Sequence, residues 1–466
     1  MNEFEKRGTF SLAGIYGLRM MGLFLILPVF ALYSEGLHGV TPALMGLALG
    51  AYGFTMAMLQ IPFGWMSDRI GRKPVIAAGL LIFAIGSVVA AMADSIWGVI
   101  LGRALQGAGA IAAAMMALLA DLTREEVRSK AMAMVGMTIG MSFTLALVIG
   151  PFLDTWIGVD GIFWLTAVLA ILAIGVLFWL VPNPLPADTH SHRDVLSLPN
   201  EFGRILKNPQ LLRLDAGIMI LHAVMMAVFI GLPFVLRDHL GIPVSEHAWV
   251  YLPVLVTALL LMVPMIIMAE KKNMMKQVFV SSIVLIATAC VLLGLWHDSM
   301  FAVVTALFLF FVAYNVLEAT LPSLISRMAP LDAKGTAMGV YSTSQFFGAF
   351  LGGAVGGWCY GVYDVQGVFF GAAGIAVLWL LIALGMQMPI MRSSMMAHID
   401  STTNAEELQI KLLALAGISE AKVVPEENTV FLRVDKKVFE DDALEALLKP
   451  YRKSSDQHGS KVSSAK

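Results

Sequence analysis

Four ionisable side chains lie inside long apolar stretches of this chain, away from the ends of those stretches: Arg19, Arg103, His222 and Glu318. A charge inside a membrane-spanning helix is costly, so each of these residues points to a functional role by default. Glu318 is about nine residues from one end of its stretch, which at about 1.5 Å per residue puts it near the middle of a bilayer. We expect Glu318 to be the only acid so placed.

These residue types are suited to moving protons. Burial favours the neutral form of a carboxylic acid and a neighbouring arginine favours the carboxylate, so Glu318 can load and release a proton as its surroundings change. His222 belongs to the residue type that titrates near neutral pH without special surroundings. Two alternatives stay open for Glu318: a static ion pair with Arg19 or Arg103, and direct contact with a substrate.

A second group of charges occupies the short polar segment 64–73, which separates apolar stretches at 43–65 and 75–93. Its candidate residues are Gly64, Asp68, Arg69, Gly71, Arg72 and Lys73. Arg72 can pair with Asp68 and also with Asp121, which closes the fourth apolar stretch, and charge-assisted hydrogen bonds would then join these helix ends. The alternative is a basic loop that only sets the orientation of the chain.

The composition identifies the elements that must position these residues. The 466-residue chain is 58% hydrophobic and 14% charged, whereas soluble domains are about 45–50% apolar and 25% charged. We therefore predict an all-α membrane protein with twelve spanning helices. The apolar stretches lie near 10–33, 43–65, 75–93, 96–120, 131–155, 161–182, 214–236, 247–269, 276–295, 299–327, 334–361 and 365–388.

The distribution of basic residues predicts the orientation. Lysines and arginines cluster before the first stretch, after the second, fourth, eighth and tenth, and in the central loop. The loops on the opposite side contain only one, Arg237. By the positive-inside rule both termini and the central loop are cytoplasmic.

The chain is predicted to consist of two similar halves and a soluble addition. Lys130-x-x-Ala133-Met134 opens the fifth stretch and Lys334-x-x-Ala337-Met338 opens the eleventh, as in parallel repeats. The predicted parts are a six-helix half at 1–182, a central loop at 183–213, a second six-helix half at 214–388, a linker at 389–395, a soluble domain at 396–452 and a disordered tail at 453–466.

The soluble domain alternates like a β-α-β-β-α module, with Pro425-Glu426-Glu427-Asn428 as the turn between its later strands. It resembles the ferredoxin-like, heavy-metal-associated fold, but the metal-binding Cys-x-x-Cys of that family is absent. His190 and His192 of the central loop lack further ligands in the sequence, so a polar linker is a better interpretation than a metal site. We expect no metal and no cofactor.

Three motifs resemble those of the major facilitator superfamily of transporters. Segment 64–73 is similar to its signature between helices 2 and 3, with Met66 in place of the usual leucine. Val99-x-x-x-Arg103-x-x-Gln106-Gly107-x-Gly109-Ala110 resembles its fourth-helix motif, whose arginine is associated with proton coupling. Gly140, Gly150 and Pro151 match the family's fifth-helix antiporter motif, but Ala146 replaces one glycine and Asp154-Thr155 replaces the final pair.

The resemblance implies a site at the interface of the two halves. In this family the first, fourth, seventh and tenth helices line the cavity, and these helices carry Arg19, Arg103, His222 and Glu318. It also implies that the 64–73 signature and Asp121 form a conformational latch, intact when the transporter opens outward and broken when it opens inward. Tyr314, Asn315, Tyr341 and Gln345 can line the cavity, although plain packing explains each of them singly.

The function expected from this resemblance is proton-coupled efflux of a drug-like or other small solute across a bacterial inner membrane by rocker-switch alternating access. The expected partners are that small molecule, protons and membrane lipids, without nucleic acid, and the protein is expected to be a monomer. An uptake symporter and a membrane-embedded sensor that signals through the C-terminal domain remain alternatives. An enzyme is not expected, because the sequence presents no nucleophile–base pair or phosphate-binding loop.

Overall fold

The computed structural model describes residues 1–183, 199–272, 274–330, 333–387, 392–399, 405–424, 429–435, 439, 441–451 and 463–464. These residues form two compact units, Met1–Met386 and Gln387–Lys466. The predictions for His190 and His192, for the turn 425–428, for residues 389–391 of the linker and for most of the tail lie outside the described residues, whereas residues 392–395 of the predicted linker belong to a strand.

The first unit is helical throughout. Its N-terminal half contains α1 (Glu3–Phe24), α2 (Phe30–Ser34), α3 (Pro42–Ile70), α4 (Arg72–Ala91), α5 (Ile96–Ala108), α6 (Ala112–Asp121) and α7 (Glu125–Trp179). Its C-terminal half contains α8 (Pro199–Leu206), α9 (Pro209–Phe234), a π-helical turn (Val235–His239), α10 (His247–Lys271), α11 (Met275–Trp296), α12 (Met300–Met328) and α13 (Lys334–Leu384). Nine helical segments of the described residues are long and apolar enough to cross a membrane.

Two of those segments change direction partway along. The segment Lys130–Trp179 contains non-helical backbone at Gly158, and Lys334–Leu384 contains it at Asp364. Gly158 has a φ of 67°, a left-handed conformation that glycine adopts without a steric cost. Each long segment therefore consists of two helices that meet at a sharp bend.

Two of the predicted apolar stretches are interrupted, which the sequence analysis did not foresee. The first stretch, 10–33, is broken between α1 and α2, around Pro28, which has no backbone N–H to continue the helical hydrogen bonds. The fourth stretch, 96–120, is broken between α5 and α6 at Gly109, which packs directly on the α4 backbone. A Cβ atom at Gly109 would lie 2.2 Å from the Gly79 carbonyl oxygen.

The two halves contact each other on the side away from segment 64–73. Gly46 and Gly50 of α3 face the backbone of α13, where a Cβ atom at Gly46 would lie 2.2 Å from the Gly353 carbonyl oxygen. On the same side, Arg237 of the C-terminal half donates from its Nη2 to Glu35 Oε1 of the N-terminal half over 3.1 Å. Glycines permit this backbone-to-backbone approach because they carry no side chain.

The second unit contains a four-stranded antiparallel sheet and two helices. Its elements are β1 (Arg392–His398), α14 (Ala405–Leu413), β2 (Ile418–Val424), β3 (Thr429–Asp435), α15 (Asp441–Leu448) and β4 (Ser463–Ser464), and the strand order is β2-β3-β1-β4. Leu408, Leu412 and Leu444 of the helices pack with Val430 and Leu432 of the sheet. This arrangement is compatible with the predicted ferredoxin-like module.

Candidate functional site

The ionisable residues of the membrane helices form separate groups in the two halves. Arg19 and Arg103 lie in the N-terminal half and are each 2% exposed. His222 and Glu318 lie together in the C-terminal half. Among the described residues Glu318 forms no ion pair with either arginine, so the static pair considered from the sequence is not present in this structure.

Arg19 reaches from α1 to the break between α5 and α6. Its Nη2 donates to the Gly109 carbonyl oxygen over 2.7 Å and lies 3.4 Å from the Met56 Sδ atom. Its guanidinium is 5.6 Å from the centre of the Phe83 ring. The interrupted helix thus supplies a carbonyl that a continuous helix would have used internally.

Arg103 is held on α5 by a short polar chain. Its Nη1 donates to Gln106 Oε1 over 2.8 Å, and Gln106 Nε2 donates to Ser87 Oγ over 2.8 Å. The guanidinium lies over the Tyr52 ring, 5.1 Å from its centre. Gln106 therefore fixes one side of the guanidinium and leaves its Nε without a partner in the described part of the chain.

Gln345 of α13 joins His222 of α9 to Glu318 of α12. The Gln345 Nε2 atom is 2.9 Å from His222 Nε2 and 3.3 Å from Glu318 Oε1, and His222 Nε2 is 3.8 Å from Glu318 Oε2. The Glu318 side chain is 36% exposed, compared with 10% for His222. Glu318 Oε1 is hydrogen-bonded, whereas Oε2 is buried and has no hydrogen-bond partner among the described residues, so the exposed part of this side chain is not Oε2.

Asp215 is a second acid inside the C-terminal half, and the sequence analysis missed it. It is 5% exposed, and neither of its carboxylate oxygens has a hydrogen-bond partner among the described residues. The prediction began the seventh helix at 214, which made Asp215 a terminal residue, but α9 begins at Pro209. The sequence signal for this start is Asn208 followed by Pro209. The Asn208 side chain accepts hydrogen bonds from the backbone N–H groups of Gln210 and Leu211, and proline is favoured at the first position of a helix.

The 64–73 segment forms the charge cluster that the sequence predicted. Arg72 donates to Asp68, its Nε donates to Asp121 Oδ2 over 3.1 Å, and its Nη1 donates to Ser67 Oγ over 2.9 Å. Gly71 has a φ of 107°, which strongly favours glycine at this turn.

The other three predicted residues of this segment lie around the cluster. Ser67 Oγ donates to the Gly64 carbonyl oxygen over 2.7 Å, and Lys73 Nζ donates to the Val181 carbonyl oxygen over 2.6 Å. The Arg69 guanidinium stacks over the Trp65 ring instead, 4.0 Å from its centre.

The Asp68–Arg72–Asp121 cluster is formed while the halves are in contact on the opposite side. The resemblance implied that such a latch breaks when the transporter opens inward. All three residues belong to the N-terminal half, so a rigid rotation of one half against the other does not separate them. A latch that opens must therefore involve a further contact to the other half.

Glu5 and Arg124 form a neighbouring pair that the sequence analysis did not single out. Arg124 Nε donates to Glu5 Oε1 over 2.8 Å, and Glu5 is 2% exposed. The hydrogen bond from the Arg124 guanidinium lowers the pKa of Glu5 from 4.5 to about 2, although burial acts in the opposite direction. This pair ties the start of α1 to the start of α7.

We predict that this pair contributes about 1 kcal/mol to the free energy of unfolding when the pH is above the pKa that Glu5 has in the unfolded protein. The contribution disappears as the pH falls through the lower pKa that Glu5 has in the folded protein. Glu5→Gln should therefore lower the midpoint of thermal unfolding at neutral pH and flatten its decline on acidification. Glu3→Gln is the matched control, because Glu3 is an exposed partner of Lys6. Equal pH profiles for Glu5→Gln and the unmodified protein would contradict the prediction.

The three residues of the fifth-helix motif differ in their surroundings. A Cβ atom at Gly150 would lie 2.4 Å from the Leu25 carbonyl oxygen, at the interruption of the first stretch, whereas one at Gly140 would meet nothing within 4 Å. Pro151 lies inside α7. Close packing therefore requires glycine at position 150 and leaves Gly140 without a steric constraint.

One group of residues in the described part of the chain has side chains that can hold a metal ion. The ligand atoms of His239, His297 and Asp298 all lie within 4.8 Å of one another, and His239 Nδ1 is 2.7 Å from Asp298 Oδ1. A histidine–aspartate hydrogen bond at a helix end accounts for the same geometry. The group lies just beyond the C-terminal ends of α9 and α11, whereas Asp215 is near the N-terminal end of α9. We assign the group no part in the site.

The family model of the Major Facilitator Superfamily matches residues 12–353 and 275–391. The inner membrane transport protein YajR of Escherichia coli (strain K12) is 46% identical over 440 residues, which cover 94% of this chain and 96% of that protein. The multidrug resistance protein MdtH of Cronobacter sakazakii is 24% identical over 302 residues, covering 64% of this chain and 72% of that protein. These relatives are named as transport or resistance proteins and not as enzymes.

The structure is also similar to solved transporter structures. That of the nucleoside transporter NupG superposes with a TM-score of 0.65 at 16% identity and covers 81% of this chain and 99% of that one. At this identity the likeness concerns the fold.

Proposed function

This chain belongs to the Major Facilitator Superfamily, and on that basis we propose that it is a proton-coupled transporter that exports a small organic solute. It is a multi-pass protein of the inner membrane. We further propose that it crosses the membrane twelve times as a monomer, with α1 and α2 forming the first crossing and both termini in the cytoplasm.

The observation that carries this proposal is the Glu318–Gln345–His222 cluster. Its residues all belong to the C-terminal half, so the cluster stays together while movement of the N-terminal half against it changes the surroundings of the carboxylate. The Glu318 side chain is 36% exposed, and its Oε2 atom is buried without a hydrogen-bond partner among the described residues. A carboxylate that is accessible on one side of the membrane at a time can carry a proton across as the halves move.

The contacts between the halves support alternating access. They include the α3–α13 glycine contact and the Arg237–Glu35 pair, both on the side away from segment 64–73. With the predicted orientation this side is periplasmic, and we propose that the structure is closed there. Opening outward then requires these contacts to separate.

We propose that the Asp68–Arg72–Asp121 cluster acts as a brace inside the N-terminal half. It keeps the cytoplasmic ends of α3, α4 and α6 together while the half moves as one body. The C-terminal unit, with its own core, is proposed to regulate transport.

The proposal is tested with everted membrane vesicles, whose outer surface is the cytoplasmic side. Vesicles from cells that contain the protein should accumulate its substrate from a panel of labelled anionic, cationic and neutral compounds when respiration acidifies the interior. A protonophore should abolish that accumulation. Vesicles without the protein and vesicles that contain the Glu318→Gln variant are the controls.

The outcomes separate the candidate functions. Accumulation in right-side-out but not everted vesicles would replace export by uptake. Accumulation that persists in the presence of the protonophore would contradict proton coupling. Binding of a compound without any flux in either type of vesicle would contradict transport and favour the sensor alternative.

A further inference from the structure

We propose that Arg19 and Arg103 together bind the anionic group of the transported molecule. The inference rests on the proposed transport function and deepens it, because it assigns the substrate to the carboxylates and phosphate-like oxyanions.

The two arginines converge on one short segment of α3. The Arg103 guanidinium lies over the Tyr52 ring, and Arg19 Nη2 lies beside Met56 Sδ, one helical turn further along. Both also form a hydrogen bond near the C-terminal end of α5. Arg103, which belongs to α5, donates to the Gln106 side chain, and Arg19 donates to the Gly109 carbonyl oxygen. The two arginines therefore contact α3 at positions one helical turn apart, although they are far apart in sequence.

Their charges are not compensated within the described part of the chain. Each arginine is 2% exposed, and neither forms an ion pair with a carboxylate there. A buried charge without a partner of opposite charge is strongly unfavourable. The main structural partners, one carbonyl oxygen and one amide oxygen, are neutral.

Several hydrogen-bond donors at this place have no partner among the described residues. They are the N–H groups of Arg19 Nε, Arg19 Nη1 and Arg103 Nε and the O–H group of Tyr52. Buried polar groups are nearly always hydrogen-bonded, so a set of unpaired donors around two cations calls for an acceptor that carries negative charge. The structure therefore has the composition of an anion site.

The chemistry of these donors specifies the ligand. The planar guanidinium group matches the paired oxygens of a carboxylate or phosphate, and charge-assisted hydrogen bonds of this kind are strong. The Gly109 carbonyl oxygen accepts from Arg19 Nη2, and Gln106 Oε1 accepts from Arg103 Nη1. These two hydrogen bonds limit the rotation of each guanidinium group and so fix the direction of its remaining donors. A cationic amine would be repelled here.

The position of the site agrees with alternating access. The Tyr52 ring contacts the Phe346 ring of α13, with 6.4 Å between the ring centres, so the site lies directly behind a contact between the halves. Separation of α3 from α13 would uncover it. Anion binding and proton binding then occur in different halves, at Arg19–Arg103 and at Glu318.

The test is thermal unfolding of the full-length protein in lipid nanodiscs at constant ionic strength, with formate or inorganic phosphate as the probe and formamide as the neutral counterpart of formate. We expect saturable stabilisation by the anions and none by formamide. Arg19→Gln and Arg103→Gln should each weaken the apparent anion affinity about tenfold or more. Arg213→Gln is the matched control, because Arg213 donates to the Gly385 carbonyl oxygen near the end of α13.

Tyr52→Phe provides a variant that keeps the ring contacts and loses only the hydroxyl donor. It should fold normally and weaken anion binding by a smaller factor. Equal stabilisation of the unmodified protein and the arginine variants, or no stabilisation of the unmodified protein by either anion, would overturn the proposal. This test needs no gradient, so it separates the anion site from the transport function. Anion binding by a protein that transports nothing would support the site and contradict the transport function. Proton-driven transport without anion binding would support the transport function and contradict the site.

Discussion

Glu318→Gln is expected to abolish accumulation of the substrate against its gradient while substrate exchange across the membrane continues. Glutamine keeps the size of the side chain and can still hydrogen-bond Gln345, but it cannot take up or release a proton. Energy coupling is lost because the proton is no longer carried with each cycle. The measurement is gradient-driven accumulation and equilibrium exchange of one labelled substrate by the same preparation of proteoliposomes.

The matched control for this prediction is Glu270→Gln. Glu270 is a carboxylate of the same half that pairs with Arg327 at the exposed end of its helix. It should leave both accumulation and exchange unchanged. Full accumulation by Glu318→Gln would remove Glu318 from the coupling mechanism, and Asp215→Asn would then be the next variant to measure.

Gly46→Val is expected to prevent the halves from closing on the side away from segment 64–73. A Cβ atom at position 46 would lie 2.2 Å from the Gly353 carbonyl oxygen and 2.7 Å from the Gly357 Cα atom. Inserting side-chain atoms into a packed contact costs about 1–3 kcal/mol, which shifts an equilibrium between two conformations about 5- to 150-fold. Transport should fall sharply although the protein remains folded in the membrane.

Cysteine labelling measures this shift directly. A cysteine placed at Phe350, which faces Gly50 in the same contact, should react faster with a membrane-impermeant reagent from the periplasmic side in the Gly46→Val background. Gly339→Val is the control, since nothing lies within 4 Å of a Cβ atom at that position of α13. Equal labelling rates and normal transport in Gly46→Val would contradict the proposed role of this contact.

The sequence is sufficient to predict the class of fold because the solvent of the helices is the bilayer. Long apolar stretches and the separation of basic residues follow from that solvent alone. Hydropathy did not predict the two interruptions. The one around Pro28 follows from a proline, which hydropathy does not register, and the one at Gly109 depends on the approach of Gly109 to Gly79 of another helix.

The candidate site was predicted in its residue types but not in its grouping. Arg19, Arg103, His222 and Glu318 were selected because charge is rare inside apolar stretches. The predicted bounds already divide these residues between the two halves, and helix packing decides that Glu318 lies beside His222 and Gln345 and not beside an arginine. Gln345 was not distinguishable from a packing residue, because a neutral amide carries no such cost.

Proton flux in proteoliposomes with an imposed pH gradient is the direct measure of proton-coupled transport by this protein. Addition of a substrate should accelerate the collapse of the gradient for the unmodified protein, and the acceleration should be absent for Glu318→Gln. Substrate movement that leaves the gradient unchanged, by protein that is folded and active in exchange, would contradict proton-coupled transport by this chain.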